Sequence, residues 1–417
     1  MKTIEVWADW FPMDEPQKVG TLLVSNSRGN EVFSFEYENS WLKSEYKFQI
    51  DPNLQLFTGK HYAPENSKNF GAFLDSSPDR WGQVLMLRRE SLLAKEENRN
   101  VKKLMPSDYL LGVYDQNRMG GLRFKIGNGP FLDDHHKHAT PPWTSLRELE
   151  QASLSLETKG AEDDPRFSEW LKLLVAPGAS LGGARPKASV LDPSSNLWIA
   201  KFPSKDDIKD VGAWEIVTYE LAKNCGVNVT EAKAQKFANK HHTFLVKRFD
   251  RTTDRRRIHF ASAMTLLEYK DGDNADSGAS YLEIVDFIIQ NGLPSKVGSD
   301  LEELWRRIVF SIAVSNCDDH LRNHGFLLVD GGWILSPAYD INPNEMADGL
   351  NLNISFDSNA LVYDLAKSVA RDFRLSPTKA VEIIEKVKSE VRNWKTLATK
   401  YGISRQEQER MQTAFKV

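Results

Sequence analysis

Cysteine is nearly absent: the 417 residues hold two, Cys225 and Cys317, far apart and outside any metal-type spacing. That suits a reducing compartment, the cytoplasm, better than a disulfide framework. No apolar run approaches the roughly 18 residues of a spanning helix. The N-terminal MKTIEVWADWFPMDEP carries one lysine but no apolar core, so neither export nor membrane insertion is expected. An excess of one charge is missing too: the formal net charge of -4 argues against a wide nucleic-acid-binding face and leaves room for a small patch only. No repeat of fixed period and no low-complexity tract is present. What remains is ordinary globular material, 41% hydrophobic and 27% charged. The chain is too long for one core and suggests two domains or three.

The first segments, KTIEVWADW, GTLLVS and EVFSFEYE, are separated by Pro, Gly and Asn, and the first and third alternate, which predicts a small antiparallel sheet. After SSPDRWG the spacing of Trp81, Leu85 and Arg88 predicts a helix starting near Ser77 and Pro78, and SDYLLGVYD a second, short one. GNGPFLDDHHKHATPPW has no period and is read as a linker. Its His135, His136 and His138 are expected to be loop histidines, because neither a cysteine nor a ligand-spaced helix supports a metal site. SLRELEQASLSLE is a helix candidate. DVGAWEIVTYELAKNCGVNV is a helix with Trp214, Val217, Leu221 and Ala222 on one face and Gly226 as its stop. From Ser280 the chain turns mainly helical, through SYLEIVDFIIQNG and LEELWRRIVFSIAVSN to segments at Leu361–Phe373, Pro377–Trp394 and SRQEQERMQTAF. The run Arg255, Arg256, Arg257 lies in a polar turn and is expected to be a solvated loop.

Two stretches carry chemistry. VSNCDDHLRNHGFLLVDGGWILSPAYDINP sets Asp318 five positions before Asn323, with Asp340 after a short hairpin. Phosphoryl transfer uses such an order: an Asp accepts the substrate hydroxyl proton, and an Asn and a later Asp hold magnesium. Burying so polar a run without partners costs on the order of 1–3 kcal/mol per unsatisfied group, so a ligand, a metal or a structural network is expected there. Asp319 competes with Asp318 for the base, but only Asp318 keeps the four-residue gap to Asn323. His320 either positions phosphate or holds the loop; both readings stand. Upstream, GASLGGARPK is a glycine-rich loop ahead of the hairpin KASVL and LWIAKF, where glycines let backbone amides approach phosphate oxygens. Lys201, between Ala200 and Phe202, stands where a kinase places the lysine that grips the α and β phosphates. An acid on the following helix would fix that lysine: Glu215, with Glu220 as its rival and a solvated surface acid as the alternative for both. HTFLVKRFDR would be the strand leading to the connection that meets adenine.

Taken together, SLGGARPKAS, WIAKFP, LVKRFDR, DDHLRNHGF and LSPAYDINP resemble the HipA family of bacterial serine/threonine kinases, the toxins of toxin–antitoxin modules. FGAFLDSSPDRWG and DQNRMGGLRF are similar to that family too, so the resemblance spans most of the chain. It implies an α+β fold: a two-lobed, protein-kinase-like catalytic domain with a mainly helical C-lobe, behind a small α+β N-terminal domain. The expected division is 1–127 for the N-terminal domain, 128–145 for the linker, 146–250 for the N-lobe and 251–417 for the C-lobe. ATP and magnesium are the implied cofactors. Asp318 is then the base, Asn323 and Asp340 the metal ligands and Lys201 the phosphate lysine. Ser180, Gly182, Gly183 and Lys187 of the loop, with Glu215, Val246, Lys247, Phe249 and His320, complete the expected nucleotide site. Ser180 falls where family members carry an autophosphorylated serine, which silences the kinase by adding negative charge where the phosphates of ATP must sit. The implied partners are a protein substrate, of which glutamyl-tRNA synthetase is the best-known example, and a small helix-turn-helix antitoxin (HipB-like) that mediates any contact with DNA. The position after RPK, and Lys247, where a well-known member has an acid, depart from the family pattern. A degenerate kinase fold that only holds an antitoxin is a second reading. A lipid or small-molecule kinase is a third, since D-x-H-x-x-N also resembles the catalytic loop of phosphatidylinositol kinases; the lack of a basic amphipathic anchor weakens it.

Overall fold

The structure is a computed structural model that describes residues 1–65, 67–132, 140–175, Gly183 and 185–417. His135, His136, His138, Ser180 and Gly182 lie outside the described residues. The chain forms two compact units: residues 1–206 with 236–261, and residues 207–235 with 262–417.

In the first unit, Lys2–Ala8 (β1), Gln17–Ser27 (β2), Asn30–Tyr37 (β3), Lys60–Tyr62 (β4) and Leu122–Lys125 (β5) form an antiparallel sheet in the order β4-β3-β2-β1-β5. The two-residue period of a strand decides its faces. Ile4, Val6 and Ala8 of β1 and Phe33, Phe35 and Tyr37 of β3 are buried. Phe73 packs 5.8 Å from Phe35 and 5.9 Å from Phe124, ring centre to ring centre. Each such ring contributes about 1.5–3 kcal/mol by leaving water.

A second sheet of this unit joins Lys187–Leu191 (β6), Leu197–Lys201 (β7) and Thr243–Lys247 (β8), antiparallel, with Lys187 opposite Lys201 and Lys201 opposite Phe244. Helices Arg80–Glu96 (α1), Leu146–Leu156 (α2) and Phe167–Val175 (α3) share its core, through Trp81 and Leu85, Leu149 and Leu156, and Leu171 and Leu174, packed with Val190, Trp198 and Ala200. Helix α1 begins two residues after the expected Pro78. Asp79 is its N-cap, because its carboxylate accepts from the Gly82 N–H at 2.8 Å and satisfies a donor that the first turn leaves open.

The loop expected to be solvated is a correction. Arg257 is half-buried, donating to the Asp115 carbonyl at 2.7 Å and to its carboxylate at 3.2 Å, while Arg251 meets the buried carboxylate of Asp250 at 2.5 Å. Only Arg255 of the run stays exposed. Buried His259 stacks on Trp10 with ring centres 4.8 Å apart, and burial pushes its pKa down to about 3 from an ordinary 6.5. An unfolded chain therefore takes up a proton at this imidazole below pH 6.5, whereas the folded chain does so only near 3. Stability falls as pH drops through that window, by up to about 1.4 kcal/mol per pH unit from this group. His259→Phe is expected to flatten that part of the stability-against-pH curve in urea unfolding. An unchanged slope would contradict the assignment.

The second unit is mainly helical: Val211–Cys225 (α4), Tyr281–Asn291 (α5), Val297–Val314 (α6) and Pro377–Val391 (α7) surround the hairpin Gly325–Val329 (β9) and Gly332–Leu335 (β10). Helix α4 stops at Gly226, whose φ of 84° is the left-handed turn that glycine takes without strain. Helix α6 buries Leu301, Leu304, Trp305, Ile308, Ile312 and Ala313, and also Arg307, which donates to the Ser336 carbonyl at 2.6 Å. The helix expected over Leu361–Phe373 is shorter, Tyr363–Ser368, and Pro377–Trp394 is broken at Val391, with a new helix from Trp394 to Lys400. No helix among the described residues is long and apolar enough to cross a membrane.

Candidate active site

Helix α6 ends at Ser315, which adopts a left-handed φ of 53°, and the chain turns into the loop that carries Asp318 to Asn323. The two neighbouring aspartates of this loop are treated oppositely. Asp319 is buried: the Tyr281 hydroxyl donates to its Oδ2 at 2.7 Å, the Ser311 hydroxyl lies 3.4 Å from the same oxygen, and His324 Nε2 sits 3.0 Å from Oδ1. Burial alone would push this carboxyl up, but His324 and the Tyr281 hydroxyl outweigh it and hold it below the usual carboxylate range. The Tyr281 phenol is pushed far up by burial and by the Asp319 charge, so it remains a donor. Asp318 has a side chain that is 79% exposed, while its carbonyl accepts from Asn323 Nδ2 at 2.8 Å. The backbone is pinned and the carboxylate faces solvent, the combination a base acting on an incoming hydroxyl requires. His320 begins the short 3-10 turn Leu321–Asn323, and its Nε2 lies 4.0 Å from Asp318 Oδ1.

The segment after hairpin β9–β10 straps across this loop. The Tyr339 hydroxyl donates to the Arg322 carbonyl at 2.6 Å, and the Asn342 N–H donates to Asn316 Oδ1 at 3.2 Å. Asp340, between them, has a φ of 58°, a conformation that costs a non-glycine residue energy and concentrates at functional sites. Asn342 Nδ2 is 3.5 Å from Asp340 Oδ1. Two side-chain oxygens at this junction, Asn323 Oδ1 and Asn342 Oδ1, are buried without a hydrogen-bond partner. Each such orphan costs about 1–3 kcal/mol. Two amide oxygens and a carboxylate are the hard donors that magnesium takes, usually with one or two carboxylates and the phosphates of its substrate. Among the described residues there is no cluster of three His, Cys, Asp or Glu that could hold a metal by itself. The residues present thus fit a magnesium ion shared with a nucleotide.

Glu215 is buried on α4, one turn before Tyr219, whose phenol is pushed well up by burial and then by the charges of Glu215 and Asp340. Its rival Glu220 points elsewhere, accepting from Lys400 Nζ at 2.8 Å and the Tyr401 hydroxyl at 2.5 Å.

In the first unit, Gly183 has a φ of 58°, and its carbonyl accepts from Lys187 Nζ at 3.1 Å. That ammonium is buried and meets Asp79 at 2.7 Å, so Lys187 ties the glycine loop to the cap of α1. Trp81 of the same helix donates to the Lys187 carbonyl at 3.1 Å. Lys201 ends β7, with its Nζ 5.7 Å above the Phe244 ring. Val246 is buried opposite Ile199, Lys247 is half-buried opposite Trp198, and Phe249 packs 6.0 Å from Phe260.

Sequence reasoning missed Asp79, Asn342 and the holders of Asp319. Asp79 was signalled by its cap position in SPDRWG, whereas Tyr281 and His324 had no local signal.

A family model, the HipA-like C-terminal domain, matches residues 179–395, just over half of the chain, from the glycine loop to beyond Asp340. Along 95% of its length the chain is similar to HipA of Shewanella oneidensis MR-1, solved in complex with HipB and its operator DNA, with 16% identity, a TM-score of 0.60 and 93% of that chain covered. A Helicobacter pylori proinflammatory kinase, CtkA, aligns with 57% of the chain and 93% of its own, at 18% identity and a TM-score of 0.39. A Haemophilus influenzae protein bearing the name of a candidate kinase is 26% identical over 181 residues, which are 39% of this chain. The aligned stretch spans about half the length of that curated relative, 52%. The fold is therefore that of Shewanella HipA, and the chain belongs to the family of the HipA-like C-terminal domain.

Proposed function

We propose that this chain is an ATP- and magnesium-dependent serine/threonine protein kinase that acts as a growth-inhibiting toxin. The observation that carries the reading is the junction of the two loops, where the carbonyl of exposed Asp318 is held by Asn323 and two amide oxygens, Asn323 Oδ1 and Asn342 Oδ1, are buried without a partner. Asp318 accepts the proton of the attacking hydroxyl. Asn323 and Asp340 hold magnesium, with Asn342 Oδ1 as a further donor. Bound magnesium supplies positive charge to the phosphates as they are transferred. Buried Asp319 does no proton transfer; with Tyr281 and His324 it fixes the loop that aims Asp318. Lys201 grips the α and β phosphates, and Glu215 is the acid assigned to the same nucleotide site. Gly182, Gly183 and Ser180 cradle phosphate, with Lys187 holding their loop from behind. Val246, Lys247 and Phe249 meet the adenine, and His320 steadies the phosphate end.

Shewanella HipA was solved with HipB and operator DNA. By that analogy a small HipB-like helix-turn-helix antitoxin is the partner of this chain, and DNA is met only through it. The substrate class is a translation protein, an aminoacyl-tRNA synthetase of the glutamyl type. Purified protein with ATP and magnesium is expected to create phosphosites on serine or threonine in a cell lysate, and phosphosite mapping by mass spectrometry checks this. Vesicles tested in parallel separate a lipid kinase: label in lipid and none in protein would overturn the reading. Ser180 is the self-modification site. Intact-mass measurement after incubation with ATP should show one phosphate on wild type and none on Ser180→Ala, and an equal gain on both would refute it.

A further inference from the structure

The first unit holds a cavity of about 400 Å³ between the β6–β7 turn, the loop after β8 and Gln116. Its walls divide by chemistry. Lys247, Arg248, Arg251, Arg255 and Arg257 line it, and so do the aliphatic Leu191 and Leu197. No carboxylate of the described residues lines it. Behind the basic wall four guanidiniums share three carboxylates. Arg123 meets Asp9 at 3.0 Å and Asp115 at 2.5 Å, Arg257 also meets Asp115, and Arg248 and Arg251 both meet Asp250. Among the described residues, exposed Arg255 adds to that excess of positive charge. Its strain is visible at Arg251. Burial pulls this guanidinium down to about 9; Asp250 opposes the change, and Arg257 and Arg248 reinforce it by repulsion. Like charges held together in a partly desolvated wall are relieved by an anion, and guanidinium forks suit phosphate.

We propose that this cavity is a binding site for a small organic phosphate, its phosphate against Arg251 and Arg255 and its organic part against Leu191 and Leu197. The space far exceeds a bare phosphate, and the aliphatic wall would gain nothing from one. Neither Lys201 nor Gly183 lines the cavity, so the inference does not depend on the nucleotide site proposed above. Lys247, placed at the adenine above, also borders this cavity but is not assigned to its phosphate.

The test is calorimetric titration of the full chain, saturated beforehand with a non-hydrolysable ATP analogue and magnesium. Inorganic pyrophosphate, AMP and adenosine are added in separate runs. One further equivalent of AMP is expected to bind, and more tightly than pyrophosphate. Arg255→Glu, which reverses a charge on the wall, and Thr253→Trp, which fills the space, should each weaken it tenfold or more. The analogue should still bind both variants, which shows that they are folded and keeps this outcome separate from failure of the kinase reading. The proposal is overturned if no further equivalent binds, if both variants bind it as wild type does, or if adenosine alone binds as well as AMP.

Discussion

Asp318→Asn is expected to lower phosphoryl transfer by roughly 10²–10⁴-fold, the usual contribution of a positioned general base, while nucleotide binding and the unfolding midpoint stay close to wild type. The two halves of this expectation come from opposite ends of the residue. The side chain is largely exposed, so replacing one oxygen by an amide disturbs little packing. The carbonyl that Asn323 holds at 2.8 Å belongs to the backbone and survives the substitution. Asp319→Asn should behave differently, because it would set an amide among the donors Tyr281 and His324, losing stability as well as turnover. Phosphate-transfer rates and urea unfolding of both variants give the comparison. Wild-type turnover in Asp318→Asn, or equal loss of stability in the two, would remove Asp318 from the role of base.

The second large effect is on stability. Lys187→Met should cost about 3–5 kcal/mol, because it leaves the buried Asp79 carboxylate without its ammonium. The two groups are 2.7 Å apart, with side-chain exposures of 1% and 5%. The double variant Lys187→Met with Asp79→Leu should recover part of that loss, though not the α1 cap, which Asp79 also provides. A double-mutant cycle from urea midpoints gives the coupling directly. Additive single losses would mean that the pair is not coupled.

That pair also marks where sequence reading reached its limit. Helix stops such as Gly226, the hairpin turns and the stripe of α6 are written within a few residues of where they act, and they could be read. Spacing ranked Asp318 ahead of Asp319, but the reason one is exposed and the other buried lies in Tyr281, 38 residues upstream of Asp319. Lys187 looked like a phosphate ligand because its partner is 108 residues away. Arg257 looked solvated for the same reason: the Asp115 carbonyl and carboxylate that it meets come from 142 residues earlier. Helix Tyr363–Ser368 was overextended because apolar periodicity continues through residues that the fold places in turns.

The first unit is assembled from two separate stretches of chain. Strand β8 and the Asp250 that receives the Gly120 N–H at 2.9 Å come from the second stretch. During synthesis, then, this unit cannot close when residue 206 leaves the ribosome; it waits until residue 261, by which time residues 207–235 of the other unit have also emerged. At about 5–20 residues per second, the edge of β7 that β8 later covers stays open for several seconds. A nascent chain stalled before β8 is thus a natural target for chaperones, and no truncation ahead of residue 261 can be expected to yield this unit folded.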